Sequence, residues 1–236
     1  MKTIVFKAGS RGHADHGWLN AWHSFSFAEY HDPQRVHFGL LRVLNDDTVA
    51  PGMGFGTHPH DNMEIVTIPL EGALEHSDST GGKGVIGSNE VQVMSAGSGL
   101  RHSEYNHSKT EPVKLFQIWV FPKVRNIKPG YDQRLFSPAD RVNKWQAIAG
   151  GALAKEALQI NQDAYFSLAN LDAGKSLDYT PYLKDNGVFL MCISGKAEVA
   201  GETLERRDAV GITDLQNLSV KASEYSELLL IEVPMQ

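Results

Sequence analysis

The stretch 54-GFGTHPHDNMEIVTIPLEG-72 decides how the rest of the chain reads. In a strand, residues i and i+2 point to the same face, so His58 and His60 share one. Glu64 has the same parity if the strand runs on without a bulge. A lone His-x-His pair also occurs on ordinary surfaces, so the reading depends on what else the chain supplies. It supplies a glycine-rich approach, "GMGFG", and a second constellation, 95-SAGSGLRHSEYN-106, with His102 and Glu104 again two apart. Three imidazoles and one carboxylate, Glu64 or Glu104, suit a first-row divalent ion. On an octahedral ion such a set leaves two positions open, which points to chemistry. Structural zinc prefers closed, cysteine-rich sites.

Short apolar runs bounded by Gly, Asp, Asn or Pro fill the remainder: "FGLLRVLND", "VQVMSAG", "KLFQIWVFP", "YFSLANLDAG", "GVFLMCISG", "DAVGITD", "NLSVKAS" and "ELLLIEVP". Strands at this spacing predict an all-β sandwich or barrel. Only "GALAKEALQIN" from Gly151 suggests a helix. Residues 123–150 hold few apolar runs and read as a connecting segment. The halves on either side align as copies: Gly52 with Gly174, Pro59 with Pro181, and, one inserted residue later, Gly72 with Gly195. In that alignment His58 meets Thr180 and His60 meets Tyr182. No histidine follows His107, so the second copy has no histidine metal site and the chemistry falls in the first.

With 236 residues, 42% of them hydrophobic, the chain can bury a substantial core. Its net charge of −6 and mixed charge pattern give no basic block for direct nucleic-acid contact. One cysteine, Cys192, rules out an internal disulfide and a Cys-type zinc site, and it fits a reducing compartment. No run approaches the roughly 20 apolar residues of a membrane span. "MKTIVFKAGSRGHADHGW" lacks the apolar core of a secretory signal. A soluble cytoplasmic protein is expected. His13, His16, His23, His31 and His37 show no tight ligand pattern and read as packing or loop residues, and His76 and His107 read as loop residues. Trp18, Trp22, Phe25 and Phe27 read as core or barrel lid. Met53, Phe55 and Trp119 are candidates for a pocket mouth.

Gly52, His58, His60 and Glu64 resemble the first cupin motif, with Gly72 one residue late. His102 and Asn106 resemble the end of the second, with Ser95 in place of its proline. Together with "RGHADHGWLNAWHSFSFAEYHDP", these departures make the chain similar to the pirins, and most to the bacterial pirin-like proteins. The resemblance implies a bicupin, two tandem β-barrels of the double-stranded β-helix or jelly-roll type. The expected boundaries are a metal-binding barrel over 1–122, a connector over 123–150 and a degenerate barrel over 151–236. It implies His58, His60, His102 and Glu104 as ligands of one divalent ion. Iron is the first choice, with Mn, Ni, Cu, Co or Zn as other candidates. Glu64 becomes a partner that orients a histidine. The implied activity is quercetin 2,3-dioxygenase-like: cleavage of a flat flavonol by O2 with release of carbon monoxide, Glu104 serving as base. The alternative is a metal- or redox-responsive regulator acting through a protein partner. A monomer is expected, since the second barrel covers an edge that the first would expose.

Overall fold

Several strands here are buried along nearly their whole length rather than at alternate positions. Glu64–Glu71, Tyr165–Leu171 and Asn186–Ser194 are examples. Such strands need cover on both faces. A computed structural model describing residues 1–236 shows how this is achieved. Two barrels each combine a seven-stranded and a four-stranded sheet, and the wide sheets pack together.

In the first barrel the wide sheet runs Gly130–Leu135, Glu90–Ser95, Glu64–Glu71, Val113–Val120, Leu41–Val49, Leu19–His23, Gly12–Asp15. Its narrow sheet runs Gly54–His60, Leu100–Asn106, Ala73–Asp78, Lys83–Gly87. The second barrel repeats both orders. Its wide sheet runs Lys2–Phe6, Ala209–Thr213, Asn186–Ser194, Ser226–Pro234, Tyr165–Leu171, Gln146–Gly150, Leu158–Gln159. Its narrow sheet runs Ser176–Tyr179, Leu218–Ala222, Ala197–Val199, Glu202–Leu204. The aligned glycines behave alike. Gly72 and Gly195 both turn with positive φ, 76° and 84°, a conformation glycine adopts without steric cost.

Residues on the outer faces of the wide sheets fuse into one apolar cluster. Leu44, Val66, Phe116 and Ile118 from the first meet Phe166, Phe189, Leu229 and Ile231 from the second. Phe6 and Phe25 pack on Phe189 at 5.2 and 5.5 Å. Polar ties join the barrels too. Arg207 Nε donates to Asp46 Oδ2 at 2.8 Å.

Three sequence expectations change. Lys2–Phe6, expected in the barrel over 1–122, instead pairs with Ala209–Thr213 and edges the second wide sheet. Residues 123–150 do more than connect. Gly130–Leu135 edges the first wide sheet and Gln146–Gly150 lies within the second. The former is largely exposed and polar, as edge strands often are, so it carries no apolar run to read. The expected helix over Gly151–Asn161 is a series of turns ending in Leu158–Gln159, which pairs in parallel with Ala149–Gly150. Eleven residues are marginal for an isolated helix. Here the sheet supplies backbone partners, and Ala154 and Ala157 pack beside Tyr165 instead.

The two interiors differ. The second barrel is filled by a 17-residue apolar cluster that includes Leu190, Cys192, Val210, Val220 and Leu230. Its buried carboxylate, Glu232, is fully occupied. It accepts from Tyr179 Oη at 2.7 Å, the amides of Tyr182 and Leu183 at 2.8 and 3.0 Å, and Asn186 Nδ2 at 2.9 Å. The first barrel has only small apolar clusters at either end of a cavity.

Candidate metal centre

His58 and His60 lie on Gly54–His60, whose neighbour Leu100–Asn106 carries His102 directly opposite His58. Alternation on that neighbour turns Leu100, His102, Glu104 and Asn106 inward. The ladder slips between His102 and Glu104: His102 faces His58, but Glu104 faces Phe55. One extra residue on the histidine strand forms a bulge, a device that re-aims side chains beside active sites. The imidazole rings of His58, His60 and His102 then lie 4.4–4.8 Å apart.

Hydrogen bonding fixes the protons. His58 Nδ1 lies 2.8 Å from the Gly56 carbonyl. A carbonyl only accepts, so Nδ1 carries the proton and Nε2 keeps its lone pair. That Nε2 lies 3.0 Å from His102 Nε2. Burial, then the neighbouring His58, holds His60 down at about 4. Burial and then His58 hold His102 at about 3. These are the neutral imidazoles a metal requires.

The carboxylate stands slightly apart. His58, His60 and His102 form one group of convergent donor atoms, while Glu104 converges with His102 and His76 in an overlapping one. Glu104 is 2% exposed, and burial pushes its carboxyl up to about 7. Oε2 accepts from Gln117 Nε2 at 2.8 Å, and Oε1 has no partner in the protein. Glu64 is elsewhere. Asn62, with φ 46°, breaks the chain between Gly54–His60 and Glu64–Glu71, so the parity argument does not carry through. Glu64 Oε2 accepts from Ser95 Oγ at 2.6 Å and the Asn161 amide at 2.9 Å, and no histidine bonds to it.

A cavity of about 280 Å3 opens beside the histidines, walled by Phe27, Phe55 and Trp119. Trp119 meets His60 edge-on at 4.9 Å. His23, Asn45 and Gln117 line the cavity and begin a polar row that continues in register across the wide sheet to Thr67 and Gln92. His23 Nδ1 pairs with Asn45 Oδ1 at 2.8 Å, and Thr67 Oγ1 donates to Gln117 Oε1 at 2.9 Å. Sequence reasoning missed this row because Gln117, Thr67 and Gln92 each sit singly inside an apolar run, while Asn45 opens the polar stretch Asn45-Asp46-Asp47. It also placed His76 in a loop. His76 lies in Ala73–Asp78, fully paired, directly opposite Glu104, with Nε2 3.0 Å from Asp78 Oδ2. Inward parity with Leu74 was the available signal. His13 stacks on Trp22, and His37 bonds the Gly39 carbonyl. Met53 is exposed and does not line the cavity.

Comparison with known proteins shows the family and the fold. The Pirin family model matches residues 5–120, and that of the quercetinase C-terminal cupin domain matches 148–233. The chain is 42% identical over 229 residues to a quercetin 2,3-dioxygenase of Escherichia coli K12, covering 97% of each chain. It is 44% identical to a pirin-like protein of Caulobacter vibrioides over 222 residues, 94% of this chain and 95% of that one. It superimposes on the crystal structure of an E. coli bacterial pirin in complex with nickel(II) with a TM-score of 0.93, at 40% identity and 99% coverage of both.

Proposed function

The chain belongs to the pirin family of bicupins, and from that premise we propose that it is a metal-dependent dioxygenase that cleaves a flavonol such as quercetin. The observation that carries this reading is the convergence of His58, His60 and His102 on one wall of an aromatic-lined cavity, with an unpartnered carboxyl oxygen of Glu104 behind them. The Nε2 atoms of His58 and His102, facing each other at 3.0 Å, suit a shared cation. Glu104 is the fourth donor in this reading. Iron is the ion the family resemblance suggests, and nickel occupies the related pirin.

Once bound, a divalent ion supplies a Lewis acid and a docking point for the flavonol's 3-hydroxyl and adjacent carbonyl. The protein supplies the rest. Phe27, Phe55 and Trp119 hold a flat ring system and exclude water. Glu104, raised by burial to about 7, is poised to take the 3-hydroxyl proton at Oε1 near neutral pH. Gln117 keeps Oε2 fixed while Oε1 works. In the overall reaction both atoms of O2 enter the product, and one ring carbon leaves as carbon monoxide. Glu64 contributes as a brace: through Asn161 it ties the metal barrel to the following segment.

The test is anaerobic reconstitution with Fe, Mn, Ni, Cu and Co in turn, followed by quercetin and air. Loss of the flavonol absorbance band and formation of carbon monoxide are followed together. The expected result is metal-dependent turnover that Glu104→Gln abolishes. Tight metal binding with no turnover under any ion would overturn the proposal.

A further inference from the structure

The dioxygenase reading uses Glu104 but leaves a second buried carboxyl in the same cavity without a role. Asp47 is 4% exposed and lines the cavity with the three histidines. It lies on Leu41–Val49, where Val43, Asn45, Asp47 and Val49 alternate inward. Its cross-strand neighbours are Ala21 on one side and Leu115 on the other, neither of which offers a hydrogen bond. Oδ1 is buried and has no partner in the protein.

Asn45 pairs with His23 and Glu104 Oε2 with Gln117. Glu104 Oε1, His102 Nδ1 and Trp119 Nε1 also lack partners, but they sit on the histidine side of the cavity, whereas Asp47 has no hydrogen bond at either oxygen. An unmet carboxyl among hydrocarbon neighbours costs stability, and a leucine would pack there at no such cost. Burial, then Asp46 and Glu104, raises the Asp47 carboxyl to about 8, so it holds its proton at neutral pH. A neutral carboxylic acid can both donate and accept, which suits a phenolic hydroxyl in either orientation.

We propose that Asp47 is a specificity-determining residue that takes a second hydroxyl of the substrate, distinct from the oxygens drawn to the histidines. The inference rests on the dioxygenase reading for the flat scaffold and adds a requirement: the substrate is hydroxylated on its pendant ring as well as at the reacting one. A site built around a hydroxyl discriminates strongly against the analogue lacking it, because the buried polar group is then left unpaired.

The experiment compares quercetin with the flavonol that lacks the pendant-ring hydroxyls. Equilibrium binding to metal-loaded protein is measured without oxygen, by quenching of tryptophan fluorescence, in wild type, Asp47→Asn and Asp47→Leu. Wild type is expected to prefer the hydroxylated ligand about tenfold or more. Asp47→Asn retains most of that ratio, and Asp47→Leu brings it close to one. A purely structural role would weaken both ligands equally and leave the ratio unchanged in Asp47→Leu. That outcome, or the absence of a preference in wild type, overturns the proposal. Turnover separates this from the parent reading. Carbon monoxide release with a ratio indifferent to residue 47 removes Asp47 and keeps the dioxygenase. A ratio that follows residue 47, with no turnover under any ion, removes the dioxygenase and keeps Asp47.

Discussion

The two barrels share one strand order and put it to opposite uses. In the second, the interior is a 17-residue apolar cluster, and its one deep carboxylate, Glu232, meets four donors. In the first, polar side chains occupy the floor, and two buried carboxyls, Asp47 and Glu104, each keep an oxygen unmatched. A filled, satisfied barrel serves as a stable wall. A hollow one with unmet polar groups gives up stability for binding. The shared apolar cluster lets the one support the other, since Phe189 of the second barrel packs on Phe25, 5.5 Å away.

The sharpest way to break this comparison is to move its chemistry. His60→Ala is expected to reduce bound metal to below a tenth of an equivalent and turnover by more than ~100-fold, beyond the usual effect of an outer partner. The reverse graft, Thr180→His with Tyr182→His, is expected to add no second metal. The strand matching Leu100–Asn106, Leu218–Ala222, reads LSVKA and offers no further ligand. Elemental analysis of both proteins checks the pair. Gln117→Leu frees the Glu104 carboxylate and is expected to cost about 10–100-fold in metal affinity or kcat, measured by competitive chelation and carbon monoxide release.

Smaller effects sharpen the contrast on the stability side. Glu232→Gln leaves at least one of its donors unmatched, at about 1–3 kcal/mol. At ~2–4 °C per kcal/mol, Tm should fall by several degrees while metal content stays unchanged. Calorimetry beside elemental analysis reads both. The last test, at Asp47, depends on pH. Folded, its carboxyl keeps a proton up to about pH 8; its ordinary value is 3.8. Across that window the folded state binds the extra proton, so stability drains away as pH rises. Asp47→Asn lacks this loss. Its Tm relative to wild type should rise steadily between about pH 4 and pH 8. A flat difference would mean Asp47 is ionised in the folded protein.

The fold and the three histidines were legible because both rest on short-range patterns. Alternation puts His58 with His60 and turns His102 inward, and paired glycines mark equivalent turns in the two halves. What the sequence hid is long-range. Glu64 seemed in step with His60 until Asn62 interrupted the strand. Gln117 looks like one polar residue in an apolar run, and Asn45 and Asp47 look like part of the polar stretch Asn45-Asp46-Asp47-Thr48 that ends one. Only the registers Ala21↔Asp47↔Leu115 and His23↔Asn45↔Gln117 reveal which of them is left without a partner. His76 became visible once its strand was seen to pair with Glu104.

The edge strand Lys2–Phe6 pairs with Ala209–Thr213, Lys2 opposite Thr213 and Phe6 opposite Ala209. It is made well before its partner strand and cannot be seated until that partner exists. At ~5–20 residues per second, about 10–40 s separate its synthesis from that of its partner. Over that interval the nascent chain carries an unpaired strand ending in Phe6, the ring destined for Phe189. A chaperone that shields early hydrophobic segments would find its client here, and a bulky tag fused ahead of Lys2 would burden the second barrel rather than the first.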